Sequence, residues 1–251
     1  MEHASTRAPI AIVTGGTRGI GRCITQRLHR DGFGLLVVHS DSDQDAAGLE
    51  AELHRDDRPL RALRIDLADP AAPAAIFDAA EALGTLTVLV NNAGVTGRIG
   101  PIQSLADDAL QRIVEVNLVA PVRLCREAAR RWQGRRAPSH IVNIGSVAAR
   151  TGSPGEYVAY AATKAALDTL TIGLARELAH DRIHVNAVSP GTIDTGIHAR
   201  AGEPGRAARV AGRIPMRRPG QPEEIANAVA WLVSGEASYV TGSVIEVAGG
   251  L

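Results

Sequence analysis

Lysine is almost missing from this chain. Of its 27 basic residues, only Lys164 is a lysine and the rest are arginine. Acidic residues also number 27 and no basic stripe stands out, which argues against nucleic acid as a partner. Aromatic residues are scarce: two Phe, two Trp and three Tyr in 251 residues. The core therefore has to be built from Ala, Val, Leu and Ile. The two cysteines, Cys23 and Cys125, are far apart, so they suit free thiols in a reducing cytoplasm better than a disulfide framework. No apolar run approaches the ~18 residues of a membrane span. The opening MEHASTRAPI lacks the charged start and apolar run of an export signal. A cytoplasmic protein without a membrane partner is expected. The eight histidines are dispersed; His180 and His184 straddle a helix-to-strand boundary, and no metal site is expected.

Present instead are short, continuous apolar runs alternating with longer helical patterns. The runs are Ile10–Val13, Leu35–Val38, Leu60–Ile65, Leu86–Val90, His140–Ile144, Ile183–Val188 and Ser243–Val247. Apolar residues in succession, rather than in alternation, mark strands buried on both faces. Segments such as Ile20–Arg30, Ala71–Leu83 and Ala161–Ala179 carry helical spacing. The alternation implies right-handed crossovers and a parallel sheet covered on both sides. The expected fold is a Rossmann-like three-layer α/β/α sandwich with seven parallel strands, one domain over residues 1–251. The segment 192–215, rich in Gly, Arg and Pro, reads as a long functional loop.

After the first strand comes Thr14-Gly-Gly-Thr-Arg-Gly-Ile-Gly21, then a helical pattern. Backbone amides can close on a phosphate only where side chains are absent, and the following helix offers unpaired N–H groups. The spacing Gly15-xxx-Gly19-x-Gly21 differs from both the general dinucleotide fingerprint and the P-loop. Gly15, Thr17, Arg18, Gly19, Ile20 and Gly21 are therefore expected to line a dinucleotide; the alternative is an ordinary strand-to-helix turn. An acid at the end of the second strand would favour NAD(H). Here His39 and Ser40 hold the deciding places, with Asp41 one or two positions beyond the tip. Arg18 is placed to reach a ribose 2′-phosphate, or is a solvated loop cation. NADP(H) is favoured and NAD(H) remains an alternative.

Tyr160 and Lys164 are four residues apart, hence stacked on one helix face. Tyr157 has Ala161 at the same offset. A free phenol ionises near pH 10, and a neighbouring ammonium favours the phenolate. A compact three-donor ammonium also bonds ribose hydroxyls while facing the phenol, where a planar guanidinium fits poorly. The alternative is a surface lysine beside a half-buried tyrosine.

These residues, with others in order, make the chain resemble the short-chain dehydrogenase/reductase family over about residues 9–250. Besides the glycine turn and Tyr160–Lys164, the matches are Asp66, Asn91-Asn-Ala-Gly94, Asn117, Ser146, Pro190-Gly191 followed by Ile193 and Thr195, and Ala237–Ser243. Within the family the chain is similar to reductases of the 3-oxoacyl-carrier-protein type. It departs at the strand-two tip and in Ser153-Pro-Gly-Glu-Tyr157, a segment about one residue longer than in that branch.

The resemblance implies an oxidoreductase moving a hydride between nicotinamide and a carbonyl or secondary alcohol. Tyr160 would exchange the proton at the substrate oxygen, and Lys164 would lower its pKa and hold the nicotinamide ribose. Ser146 would orient the carbonyl, and Asn117 would hold a water linking Lys164 to solvent. Asp66 and Leu67 would meet the adenine. Asn92, Ala93 and Gly94 would wall the adenosine ribose, and Pro190, Gly191, Ile193 and Thr195 would border the carboxamide. Each has a local alternative: Ser146 a turn former, Asn117 a backbone binder, Asp66 and Thr195 helix caps, Asn92–Gly94 a tight turn.

On the substrate side, 192–215 would act as a lid. Arg200, Arg206, Arg209 and Arg213, with Arg217 and Arg218, would attract an anionic substrate or an acidic carrier of an acyl thioester, or else are solvated. Ile225–Val233 and Tyr239–Leu251 resemble the family's subunit-packing region, implying a homotetramer. Two other classes compete. An epimerase or dehydratase that recycles its nicotinamide usually carries an extra substrate domain. A non-catalytic dinucleotide sensor has no need of Tyr160 or Lys164.

Overall fold

The computed structural model of the chain describes residues 8–55, 57–135 and 137–251. One sheet holds β1 (Ile10–Thr14), β2 (Gly34–His39), β3 (Leu60–Arg64), β4 (Leu86–Asn91), β5 (Ser139–Ile144), β6 (Ile183–Pro190) and β7 (Val244–Val247). The order is β3-β2-β1-β4-β5-β6-β7 and every pairing is parallel. Each strand lies within a few residues of its expected run.

The helices are α1 (Gly19–Arg30), α2 (Asp43–Leu53), α3 (Ala72–Glu81), α4 (Asp107–Val114), α5 (Ala120–Trp132), α6 (Ala148–Thr151), α7 (Val158–Leu178), α8 (Ile197–Arg200), α9 (Arg206–Val210) and α10 (Pro222–Leu232). Successive residues of β1 point to opposite faces. Ile10 and Ile12 join the core under α3, α5 and α7, while Ala11 and Val13 join the core under α1 and α10. Three layers result, which is why the strands read as unbroken apolar runs. The few aromatics are spent where one large ring saves several aliphatics: Phe77 of α3 and Trp132 of α5 lie buried with ring centroids 6.2 Å apart.

The chain leaves β1 toward β2 and β3, then returns to place β4 on the other side of β1. The carboxyl ends of β1 and β4 therefore flank a crevice at a topological switch point, where ligands bind in such sheets. Two details differ from the expected outline. The segment 192–215 is not a bare loop but holds α8, α9 and a tight turn at Ala211–Arg213. Between α4 and α5 the helix widens at Glu115–Val119, where the Ala120 N–H reaches the Glu115 carbonyl five residues back. Such π-type turns concentrate at functional sites.

Candidate active site

A cleft of about 770 Å³ opens over the carboxyl ends of the strands. Its floor is the glycine turn. Gly15 and Gly19 have φ of +62° and +51°, conformations that other residues adopt at a cost. A Cβ on Gly21 would stand 2.0 Å from the Gly15 carbonyl oxygen, and one on Gly15 would stand 3.0 Å from Ala93 Cα. Asn92 stitches this turn to β4: its Nδ2 donates to the carbonyls of Thr14 (2.9 Å) and Gly15 (3.0 Å). Thr14 Oγ1 in turn accepts the N–H groups of Asn92 and Ala93 at 3.0 and 3.1 Å. Thr17 is buried, sharing a 2.6 Å hydrogen bond with Ser42. The first turn of α1 holds no acidic residue and its amino end no side-chain cap, while Arg27, His29 and Arg30 occupy its last turn. The helix thus presents bare N–H groups and a partial positive charge to the cleft. A cradle that a Cβ would fill, closed by an uncapped helix end, fits a dinucleotide pyrophosphate.

At the tip of β2, His39 is buried, Ser40 is exposed, and Asp41 lies two residues beyond the strand. Arg18 faces this tip, its Nη2 2.7 Å from Asp41 and its Nε 3.8 Å from Asp45. Leu67 lines the cleft beside Asp66. Asp66 accepts the Ala68 N–H at 3.0 Å and both its oxygens accept Arg112 Nη1 at 2.9 Å. The Ala68 bond, then Arg112, outweighs burial and holds the carboxyl below its usual range. Asp66 thus lines the cleft while also accepting the Ala68 N–H in the turn that leads to α3.

Ser146, Tyr160 and Lys164 meet at the other end of the cleft. Lys164 is 3% exposed; its Nζ lies 5.6 Å from the Tyr160 ring centroid and donates to the Ile144 carbonyl at 2.6 Å. Asn117 is fully buried; its Oδ1 accepts the Val95 N–H and its Nδ2 donates to the Val95 carbonyl, each at 2.8 Å. A Cβ on Gly94 would stand 3.4 Å from Asn117 Oδ1 and 3.7 Å from Lys164 Nζ, ordinary contact distances that place Gly94 beside both. Pro190 and Gly191 close this end: the Pro190 carbonyl accepts the Val147 N–H at 3.0 Å, and a Gly191 Cβ would stand 2.8 Å from Ala248 Cα. Ile193 is buried and bridges to Gly220, while Thr195 offers its Oγ1 to the Ile197 N–H at 3.5 Å, the start of α8.

Burial dominates the electrostatics at this end. It raises the Tyr160 pKa above its ordinary value, and the Ser146 hydroxyl works in the opposite direction. Burial also brings Lys164 itself down to about 8, with Asp168 opposing the drop. The ammonium is turned to a carbonyl, so the cost of burying both groups outweighs their attraction.

Several contributors escaped the sequence reading. The Asn92 side chain, not only its backbone, builds the turn. Asp168 extends Tyr160 and Lys164 by one more helical turn, an i+4 step visible in the sequence; its Oδ1 is buried with no hydrogen-bond partner among the described residues, and burial raises its pKa to about 6. Glu156 accepts Arg206, with Nε at 3.1 Å, and Arg209 at 2.9 Å. Arg206 lies over the Tyr157 ring, 5.2 Å from its centroid. Tyr157 thus has a cation after all, brought from 192–215 rather than from its own helix.

Comparisons with known proteins agree with this geometry. The family described as Enoyl-(Acyl carrier protein) reductase matches residues 15–251. The chain is 43% identical over 244 residues to the protein named Uncharacterized oxidoreductase YgfF of Escherichia coli (strain K12), covering 96% of this chain and 99% of the relative. It is 36% identical over 248 residues to 3-oxoacyl-[acyl-carrier-protein] reductase FabG of Salmonella typhimurium, covering 98% of each. Among solved structures, a short chain dehydrogenase from Burkholderia cenocepacia J2315 in complex with NADP superposes with a TM-score of 0.88 at 34% identity, over 96% of this chain and 97% of that one.

Proposed function

Since the chain belongs to the short-chain dehydrogenase/reductase family, we propose that it is an NADPH-dependent reductase of ketones or 3-oxoacyl thioesters. The observation that carries the proposal is the convergence of Ser146, Tyr160 and Lys164 at one end of a cleft whose other end is the glycine turn. Bound nicotinamide supplies the hydride. The chain supplies the rest: Ser146 and Tyr160 hold the carbonyl oxygen by hydrogen bonds, and Tyr160 gives it the proton. Lys164, freed from Ile144 by a better acceptor such as a ribose hydroxyl, replenishes the charge behind the phenol. Asn117 keeps the Val95 backbone in place beside it. Arg18 with His39 and Ser40 recognises the 2′-phosphate end, and Asp66 with Leu67 borders the adenine. Asn92, Ala93 and Gly94 border the ribose, and Pro190, Gly191, Ile193 and Thr195 the carboxamide.

Likeness to a 3-oxoacyl-[acyl-carrier-protein] reductase supports an acyl thioester as substrate. One domain over residues 1–251, with 192–215 as its lid, belongs to the same reading; lid residues Ile197, Arg200, Arg206 and Arg213 line the cleft in support. So does a homotetramer, supported by the large apolar side chains left exposed on α5, α7 and α10 at Val122, Ile172 and Trp231, and at Tyr239. A cytoplasmic location is supported by the free thiols of Cys23 and Cys125.

One observation favours a second reading, an NAD-dependent sugar or alcohol dehydrogenase: Asp41 already occupies the Arg18 guanidinium. The change in nicotinamide absorbance tests both. NADPH with acetoacetyl thioesters should lose absorbance faster than NAD+ with sugars or simple alcohols gains it. Turnover confined to NAD and sugars would replace the first reading with the second.

A further inference from the structure

Three of the six arginines of 192–218 already have acidic partners. Arg206 and Arg209 share Glu156, Arg209 also takes Glu203, and Arg218 takes Glu224. Arg200 differs: no hydrogen bond or ion pair engages its guanidinium among the described residues. It sits on α8, which follows Thr195 and Gly196 across the glycine turn. A Cβ on Gly19 would stand 3.5 Å from Thr195 Cγ2, and one on Gly196 would stand 3.6 Å from Arg200 Nη1. The Thr195 side chain therefore lies against the turn, and the Arg200 side chain folds back over Gly196 and lines the same cleft as Arg18, Ser40 and Asp41.

The charges that reach Arg200 are those of Arg18 and Asp41, not those of the substrate end. Around this tip the balance is unfavourable for an anion without it. Arg18 faces Asp41 and Asp45, and Arg64 holds Asp43 at 2.7 Å. Three carboxylates thus meet two guanidiniums, and a phosphate brought there would be repelled by the excess. Arg200 restores neutrality and is the one guanidinium of the set with nothing to give up. Burial and the like charge of Arg18 push its pKa down, so an anion arriving between the two relieves a repulsion.

We propose that Arg200 is a lid-borne ligand of the cofactor's 2′-phosphate, completing with Arg18 a clamp whose two arms come from opposite sides of the cleft. The proposal rests on the reading of the cleft as an NADPH site. It moves Arg200 from the substrate side, where its place in the lid suggested it, to the cofactor side. It also gives the chain a cofactor-dependent reason to draw its lid inward: the phosphate bridges turn and lid, and NADH has no group to do so.

Titration calorimetry with NADP+ and NAD+ on the parent, Arg200→Ala and Arg200→Lys tests it without turnover. Arg200→Ala should lose about tenfold or more in NADP+ affinity, the loss of one charge-assisted contact, while NAD+ affinity moves by less than about threefold. The unchanged NAD+ affinity also shows that the variant is folded. Arg200→Lys should fall between, keeping the charge but not the fork. NADP+ and NAD+ weakening alike would assign Arg200 elsewhere and overturn the clamp, as would a variant that keeps the full preference. A parent that binds both nucleotides equally would remove the NADPH reading itself, and the clamp with it.

Discussion

Two tyrosines at the entry to α7 stand three positions apart, with ring centroids 6.3 Å from each other, and meet different surroundings. Tyr160 faces Ser146 and the cleft. Tyr157 is buried under Arg206, and its hydroxyl has no partner among the described residues. Tyr160→Phe removes the proton donor and should cut kcat by about 10²–10⁴-fold with nucleotide affinity close to intact. Tyr157→Phe removes a buried hydroxyl that bonds nothing and should change kcat by no more than a few-fold. Steady-state kinetics and nucleotide titration on both variants decide it, and equal losses would mean that the phenol has been misassigned. Asp168 makes a different prediction. Its pKa is raised from 3.8 to about 6 by burial, so between those values the folded chain binds more protons than the unfolded one. Its contribution to stability is full below about pH 4 and is lost as pH rises through about 6. Asp168→Asn removes that loss. The variant should melt higher than the parent at pH 7.5 by about 2–4 °C, allowing for the half-exposure of the group, and match it near pH 4. A gap that widens toward acid would contradict the assignment.

At the scale of elements, the two turns that meet at β4 hold the site in shape. The glycine turn is legible from sequence because only glycine satisfies it: Gly21 has no space for a Cβ beside the Gly15 carbonyl. The widened turn at Glu115–Val119 carried no such mark, since Glu-Val-Asn-Leu-Val has ordinary helical composition. Its consequence is Asn117, whose amide pairs with both backbone groups of Val95. Asn117→Ala leaves the part-buried N–H and carbonyl of Val95 without the amide and should destabilise the chain by about 1–3 kcal/mol, read as a lower urea midpoint at unchanged slope. An unchanged midpoint would show that water replaces the amide. The inner strands were legible for a related reason: a parallel sheet buried on both faces leaves them continuous apolar runs, while the edge strands β3 and β7 carry exposed Arg61, Arg64 and Glu246. Tyr160–Lys164 was legible because its i+4 spacing is local. The ion pairs were not. Arg112 meets Asp66 across 46 residues and Arg206 meets Glu156 across 50, with no periodicity to announce either. The pKa directions were hidden for a similar reason, because burial rather than the nearest charge set them.

Across the whole molecule, these long-range pairs tie the lid to the catalytic helix. Glu156 ends the turn that begins at Ser153, with only Tyr157 between it and the start of α7 at Val158, and it receives Arg206 and Arg209 from α9. Burial pushes its pKa up, but the bonds from Arg209 and Arg206 outweigh that and hold it below the usual carboxylate range. The carboxylate therefore stays ionised through neutral pH, and the tie persists there. Arg206 at the same time covers the Tyr157 ring, so α9 rests on the residue that opens α7. If this contact keeps the lid over the substrate end, Glu156→Gln should loosen α9 without touching the nucleotide end. KM for an acyl thioester should rise about five- to tenfold, the cost of one charge-assisted contact. NADP+ affinity should stay within about twofold, since Arg18 is on the glycine turn and Arg200 on α8, neither of which Glu156 holds. Trypsin should cut at Arg206 or Arg209 sooner than in the parent, because cleavage follows the open population of a segment. Cleavage at the parental rate together with an unchanged KM would show that Glu156 packs the surface and does not hold the lid.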